Sequence, residues 1–201
     1  MWHFFMCMHA IQSNLQCWRN SYSWNTRVYV AINAFRAMFP VKPLERQCLT
    51  PFSSPVMDRS VATVGELLFA IQLVHTVDDV EPFIFLYAVF AQVFCWIAIT
   101  TQDNLYHVYE ECLWLLIGLN YAWYSPIYYG RRIAAAYCVY MILSDIPMYA
   151  LRPNAPIDWE RGTQSIHECV VNHTGWEVEK IWRTGYFVGA TRAAMYMDGL
   201  Y

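Results

Sequence analysis

FIFLYAVFAQVFCWIAIT, residues 83–100, carries no charged side chain and is apolar throughout apart from Gln92 and Thr100. A helix needs ~20 largely apolar residues to cross ~30 Å of hydrocarbon, and this run is close to that length. Charged or turn-forming residues bound it on both sides, DDVEP before (78–82) and TQDN after (101–104). Outward from it, three more apolar segments follow the same plan: Val61–Val77, Leu105–Tyr124 and Ile133–Leu151, the last preceded by SPIYYGRR (125–132). Connections this short make consecutive helices antiparallel neighbours. The expected fold class is therefore all-α, a polytopic membrane helical bundle of about four spans.

Composition agrees. The chain is 57% hydrophobic and 14% charged, against about 25% charged for a soluble domain. Its 15 Tyr and 9 Trp suit a protein whose amphipathic rings meet the lipid–water interface. A mean hydropathy of +0.22 is modest for a polytopic chain, so wetter segments should flank the membrane core. The net charge of −3, with scattered basic residues and no recognition motif, argues against nucleic acid as a partner. Seven cysteines, an odd number with no CxxC, argue against a disulfide framework or zinc knuckle. Cys95, Cys112 and Cys138 fall in apolar runs, where a thiol behaves as a small hydrophobe.

The chain divides by composition into an N-terminal interfacial segment (1–60), a transmembrane bundle (61–151) and a C-terminal extramembrane segment (152–201). The first acid is Glu45, and Arg19, Arg27, Arg36 and Lys42 precede it. Such a start resembles an organellar transit sequence. Val28, Ile32, Phe35 and Phe39 recur at helical spacing and predict an interfacial amphipathic helix ending at Pro40. Pro40, Pro43, Pro51 and Pro55 mark a loop. Ile181–Met197 is a possible fifth span. Its Arg183 and Arg192 favour an interfacial or protein-packed helix instead. Six of the basic residues precede the first span, two lie in the loop after the third and five in the tail. The positive-inside rule then puts both termini on the inner side, matrix or cytoplasm, although Arg131 and Arg132 oppose this.

That topology brings polar groups to one depth. Glu66 is in span one, His107, Glu110 and Glu111 are early in span three, and Asp145 is late in span four. All fall in the inner half of the bilayer, the first four roughly 5–10 Å deep at 1.5 Å per residue. Asp103, His107, Glu110 or Glu111, and Trp114 share one helical stripe, and Arg59 is nearly in line with Glu66. Facing lipid, such groups would cost several kcal/mol. The expected arrangement is one polar cluster of Arg59, Glu66, His107, Glu110, Glu111 and Asp145, with Asn104 and Asn120 nearby. The favoured reading is structural: ion-paired, hydrogen-bonded packing with Arg59 neutralising an acid. Two chemical readings stand beside it, a metal bound by carboxylates and histidine and a proton, quinone or lipid-headgroup site. The di-iron pattern wants Glu-x-x-His twice, and here the reverse order, His107-x-x-Glu110, occurs once.

Weaker motifs default to surface or core. Gln72, His75 and Asp79 share a face. His75 and His107 would sit near opposite surfaces, too far apart to bind one haem iron. His3, Cys7 and His9 lie in an apolar start, and His167, Cys169 and His173 lack a second ligand pair. Asn172-His-Thr matches a glycosylation acceptor on the side where it would stay unmodified, and no P-loop, GxGxxG or triad motif occurs. The expected function is a non-catalytic accessory subunit of a larger membrane complex, with an organellar, mitochondrial inner-membrane energy-transducing complex of the respiratory chain as host. Other membrane subunits and bound lipids are the expected partners, and no cofactor or metal is expected. The alternative is a small membrane enzyme or carrier that uses the Glu/His/Asp cluster.

Overall fold

The computed structural model describes residues 2–39, 52, 55–77, 81–151 and 184–199, and these are helical with no strand among them. The elements are α1 (Trp2–Arg19), α2 (Trp24–Met38), α3 (Pro55–Val74), α4 (Glu81–Thr101), α5 (Asn104–Tyr124), α6 (Tyr128–Tyr140), a π-helical turn (Met141–Asp145), α7 (Ile146–Leu151), a second π-helical stretch (Thr184–Ala190) and α8 (Thr191–Asp198). Contacts divide the chain into two units: Met1–Gly65 with Ala155–Leu200, and Glu66–Asn154 with Tyr201.

In the first unit α1 and α2 form a helical hairpin. The chain leaves α1 through Ser21, whose φ of 58° is left-handed, and re-enters a helix at Ser23. The Ser23 hydroxyl caps α2 by accepting from the Thr26 amide at 3.4 Å, which satisfies one of the orphan donors of a first helical turn. Small residues let the helices approach: Ala10 of α1 and Ala34 and Ala37 of α2 pack with Met6 and Phe187. A second cluster joins Cys17, Val30 and Met195. Gly65 of α3 meets α2 closely, since a Cβ there would lie 3.0 Å from Ile32 Cγ2. Residues 184–198, most of the segment expected as an interfacial or protein-packed helix and only secondarily as a fifth span, pack against this hairpin. Asn33 donates to the Thr191 hydroxyl at 3.4 Å, Arg192 donates to Gln16 at 3.2 Å, and Asp198 accepts from the Ser23 amide at 2.6 Å.

In the second unit α4 and α5 run antiparallel. The sharp turn between them answers why TTQDN interrupts two apolar runs. Gln102 takes a φ of 61°, the left-handed conformation that commonly ends a helix. Asp103 then caps α5, its Oδ1 accepting from the Leu105 amide at 2.9 Å. Aromatic contacts hold the pair, Phe94 lying 6.4 Å from Tyr106 and 5.5 Å from Tyr109 between ring centroids. Gly118 brings α5 against α6, because a Cβ there would sit 2.9 Å from Cys138 Sγ and from Tyr137 Cδ1. Thr76, just past α3, donates to the Tyr121 hydroxyl at 3.0 Å. Arg131 donates from Nε to the Ser125 carbonyl at the C-cap of α5, a favourable place for a cation beside exposed helix carbonyls. That contact gives Arg131 a local role besides any topological signal.

The π-helical turn has a covalent cause. Pro147 has no N–H to donate, and in an α-helix its ring would crowd the carbonyl four residues back. Widening the turn just before it relieves this, and the Ile146 amide reaches the Met141 carbonyl instead. The chain nevertheless continues as one helix from Tyr128 to Leu151.

Among the described residues, two helices are long and apolar enough to cross a membrane, Pro82–Thr101 and Tyr128–Leu151. The segments in α3 and α5 do not reach that standard: α3 carries Asp58, Arg59 and Glu66, and α5 carries His107, Glu110 and Glu111. Only 39% and 28% of the two apolar helices is buried. Phe83, Phe85, Leu86, Phe90 and Val93 of α4 stay exposed, as do Val139, Ile142, Leu143 and Leu151 further along.

Candidate functional site

The expected cluster condenses around one stretch of α5. Its buried stripe is Glu110, Trp114, Ile117, Gly118 and Tyr121, so of the adjacent acids Glu110 faces inward while Glu111 is half-buried. His107, one turn before Glu110, places Nδ1 at 2.8 Å from Glu110 Oε2. Both side chains are largely shielded, 12% and 4% exposed. The imidazole also stacks on Tyr149 of α7, with centroids 4.7 Å apart and planes 30° from parallel. Two independent contacts thus fix the orientation of His107.

Cys95 completes the group. It is buried on α4, and one ligand-type atom from each of Cys95, His107 and Glu110 lies within 4.8 Å of the others. Among the described residues no other grouping of three or more His, Cys, Asp or Glu meets this geometry, so Glu66, Glu111 and Asp145 stand outside it. Sequence reading treated Cys95 as a small hydrophobe. Its signal was available only as position, a thiol near the end of the helix that turns back into His107.

The other expected members have their own places. Glu66 is buried on α3 and accepts from Gln92 of α4 at 2.6 Å. Asp145 is buried in the π-helical turn. Asn104 opens α5 and is half-buried. Asn120 turns back along its own helix and donates to the Leu116 carbonyl at 2.8 Å. Asp103, read as part of the stripe, is the helix cap.

Arg59, expected to neutralise an acid of the cluster, lies in the first unit with its Nε 3.8 Å from Asp58 Oδ2. Asp58 belongs to a network that sequence reading missed. Arg36 of α2 is 4% exposed and donates from Nε to Asp58 Oδ1 at 2.9 Å. It also donates to the Tyr186 hydroxyl at 2.9 Å, and its guanidinium lies 5.2 Å from the Tyr186 ring centroid. The amphipathic-helix reading rested on Val28, Ile32, Phe35 and Phe39 and gave Arg36 no partner. Tertiary packing buries it because Asp58 and Tyr186 supply partners.

The remaining motifs separate. His75 is exposed at the end of α3. The Thr76–Tyr121 bond puts it beside the far end of α5, about 20 Å along that helix from His107 at 1.5 Å per residue. The two histidines therefore do not share a haem. His9 lies 3.5 Å from the Ser13 hydroxyl. Burial and, secondarily, the Arg192 charge hold its pKa below the ordinary histidine value. Cys17 is fully buried, and burial first and Asp198 second push its thiol up to about 11. Asp79, His167, Cys169, Asn172 and His173 lie outside the described residues, as does most of the proline-rich loop.

An apolar groove of about 410 Å³ runs along the second unit, lined by Leu67, Val89, Gln92, Val93, Trp96, Ile97 and Thr100. The chain matches no protein-family model, and no curated protein or solved structure is similar to it.

Proposed function

We propose that this chain is a non-catalytic, integral-membrane accessory subunit of a larger membrane complex. The observation that carries the reading is the exposure of the two apolar helices. A soluble protein's core helix would be mostly covered, whereas large apolar side chains here remain open on one helix after another. Lipid and neighbouring subunits are the natural cover for such surface. α1 adds a further open stripe, Phe4, Met8, Ile11, Leu15 and Trp18, on the side away from Met6, Ala10 and Cys17. The acid-free N-terminal region supports an organellar host, and we take the mitochondrial inner membrane and a respiratory-chain complex as that host. In this reading α3 and α5 also span, which makes four spans. Their polar groups are turned onto neighbouring helices, and both termini lie on the inner side. The groove beside Gln92 and Trp96 is the size and chemistry for a lipid acyl chain.

Native electrophoresis in mild detergent tests the reading. The chain should comigrate with other subunits in a particle far heavier than its own 23.6 kDa. Protease protection of tags at Met1 and Tyr201 should match. A clean, lone and active 23.6 kDa species would sink the subunit reading and promote the membrane enzyme or carrier.

A further inference from the structure

We infer that Cys95, His107 and Glu110 bind a divalent cation of the zinc class, independently of the subunit reading. The donors are one sulfur, one nitrogen and one oxygen from two antiparallel helices, with ligand-type atoms within 4.8 Å of one another. Zinc takes these three ligand types in tetrahedral sites, and three protein ligands leave a fourth position for water or another group. A mixed soft and borderline set also disfavours magnesium and calcium, which select oxygen.

Charge balance supports the assignment. A Cys95 thiolate and a Glu110 carboxylate contribute two negative charges, and a neutral His107 contributes none. A divalent ion makes the buried group neutral overall, whereas isolated charges in such a setting are costly. On binding, Cys95 loses its thiol proton to solvent and its sulfur forms the bond to the metal. No oxidant or reductant is needed.

The surroundings are pre-arranged. Tyr149 stacks on the imidazole from a third helical segment. It lies one turn beyond a π-helical turn, an irregularity that often accompanies functional sites. The 2.8 Å contact between His107 Nδ1 and Glu110 Oε2 brings two donors together before any ion arrives. Such preorganisation lowers the cost of assembling the coordination sphere.

Cobalt reads the site directly. The full-length chain, purified in detergent and stripped with chelator, is titrated with Co²⁺ and then back-titrated with Zn²⁺. The expected result is one equivalent of Co²⁺ with a thiolate-to-cobalt charge-transfer band, displaced by Zn²⁺. Cys95→Ser should abolish the band, while Cys112→Ser, a half-buried thiol outside the group, should keep it. His107→Gln and Glu110→Gln should each weaken binding by about tenfold or more, since even outer-shell partners are worth 10–100-fold. Zinc should also raise the unfolding temperature of the wild type, as any ligand selective for the folded state does, and raise that of Glu110→Gln measurably less at the same zinc concentration. That pair of measurements decides the matter even where Cys95→Ser fails to fold. Absence of the band in the wild type, or its survival in folded Cys95→Ser, would overturn the site.

Discussion

Replacing Arg36 by Ala should destabilise the first unit more than any other single change at a charged residue there. The substitution removes both the 2.9 Å contact to Asp58 and the 2.9 Å contact to Tyr186. It leaves a carboxylate whose side chain is only 12% exposed. Breaking a buried pair from one side costs about 3–5 kcal/mol. Arg59, 3.8 Å from the same carboxylate, retains an attraction of about 1 kcal/mol even at the dielectric of water. The expected loss is therefore about 2–4 kcal/mol. Cys17 supplies the assay. It is fully buried in this unit and its thiol is held protonated by a pKa of about 11, so alkylation requires opening. When opening is an equilibrium, the labelling rate follows the open population. A loss of 2–4 kcal/mol then means roughly 30- to 900-fold faster labelling, one decade per 1.36 kcal/mol. Peptide-resolved mass spectrometry separates Cys17 from the other thiols. The double variant Arg36→Met/Asp58→Leu should recover most of the loss, because a buried ion pair is often replaceable by apolar side chains of similar volume. Wild-type labelling in Arg36→Ala, or a double variant as damaged as the single, would refute the account.

Other residues yield sharper local tests. Gly118→Val should cost about 1–3 kcal/mol through overpacking, because even a Cβ meets Cys138 and Tyr137 at 2.9 Å, and thermal unfolding in detergent reads it. Asp103→Ala should cost about 0.5–2 kcal/mol by removing the cap of α5, while Asp103→Asn should be nearly silent in the same assay. His9 is held neutral in the folded chain, so its contribution is complete above the unfolded pKa of about 6.5 and is lost as pH falls through its lower folded value. The difference in midpoint between wild type and His9→Gln should therefore shrink or reverse between pH 8 and pH 5. A constant difference would remove the linkage.

The helices were legible because apolar runs and turn residues mark them locally. The second run, read as 83–100, is α4, and the third, read as 105–124, is α5, each within a residue or two. The fourth begins at Tyr128 rather than Ile133, since Tyr128 and Tyr129 count as interfacial by composition yet continue the helix. The stripe through His107, Glu110 and Trp114 was legible for the same reason, periodicity being a local property. What escaped was pairing across distance. Arg36 and Asp58 are 22 residues apart, and Arg36 and Tyr186 are 150 apart, so no window contains them. Cys95 escaped because a thiol in an apolar run has the same composition whether it packs or ligates. Counting polar residues per segment also could not tell that Asp103 and Ser23 act on their own helix ends.

The attachment of α8 to the α1–α2 hairpin sets an order of events during synthesis. Its tethers to Ser23, Asn33 and Gln16 span 175, 158 and 176 residues of chain. At about 5–20 residues per second, the hairpin leaves the ribosome on the order of ten seconds before its last helix exists. Through that interval Phe187 is not yet present to pack on Ala34, Ala37 and Met6, and residues 66–154 are made in between. Closing a loop of this length gains little from local helix propensity and delays the contacts that reward it. A ribosome stalled short of Thr184 would leave the hairpin without the helix that latches it.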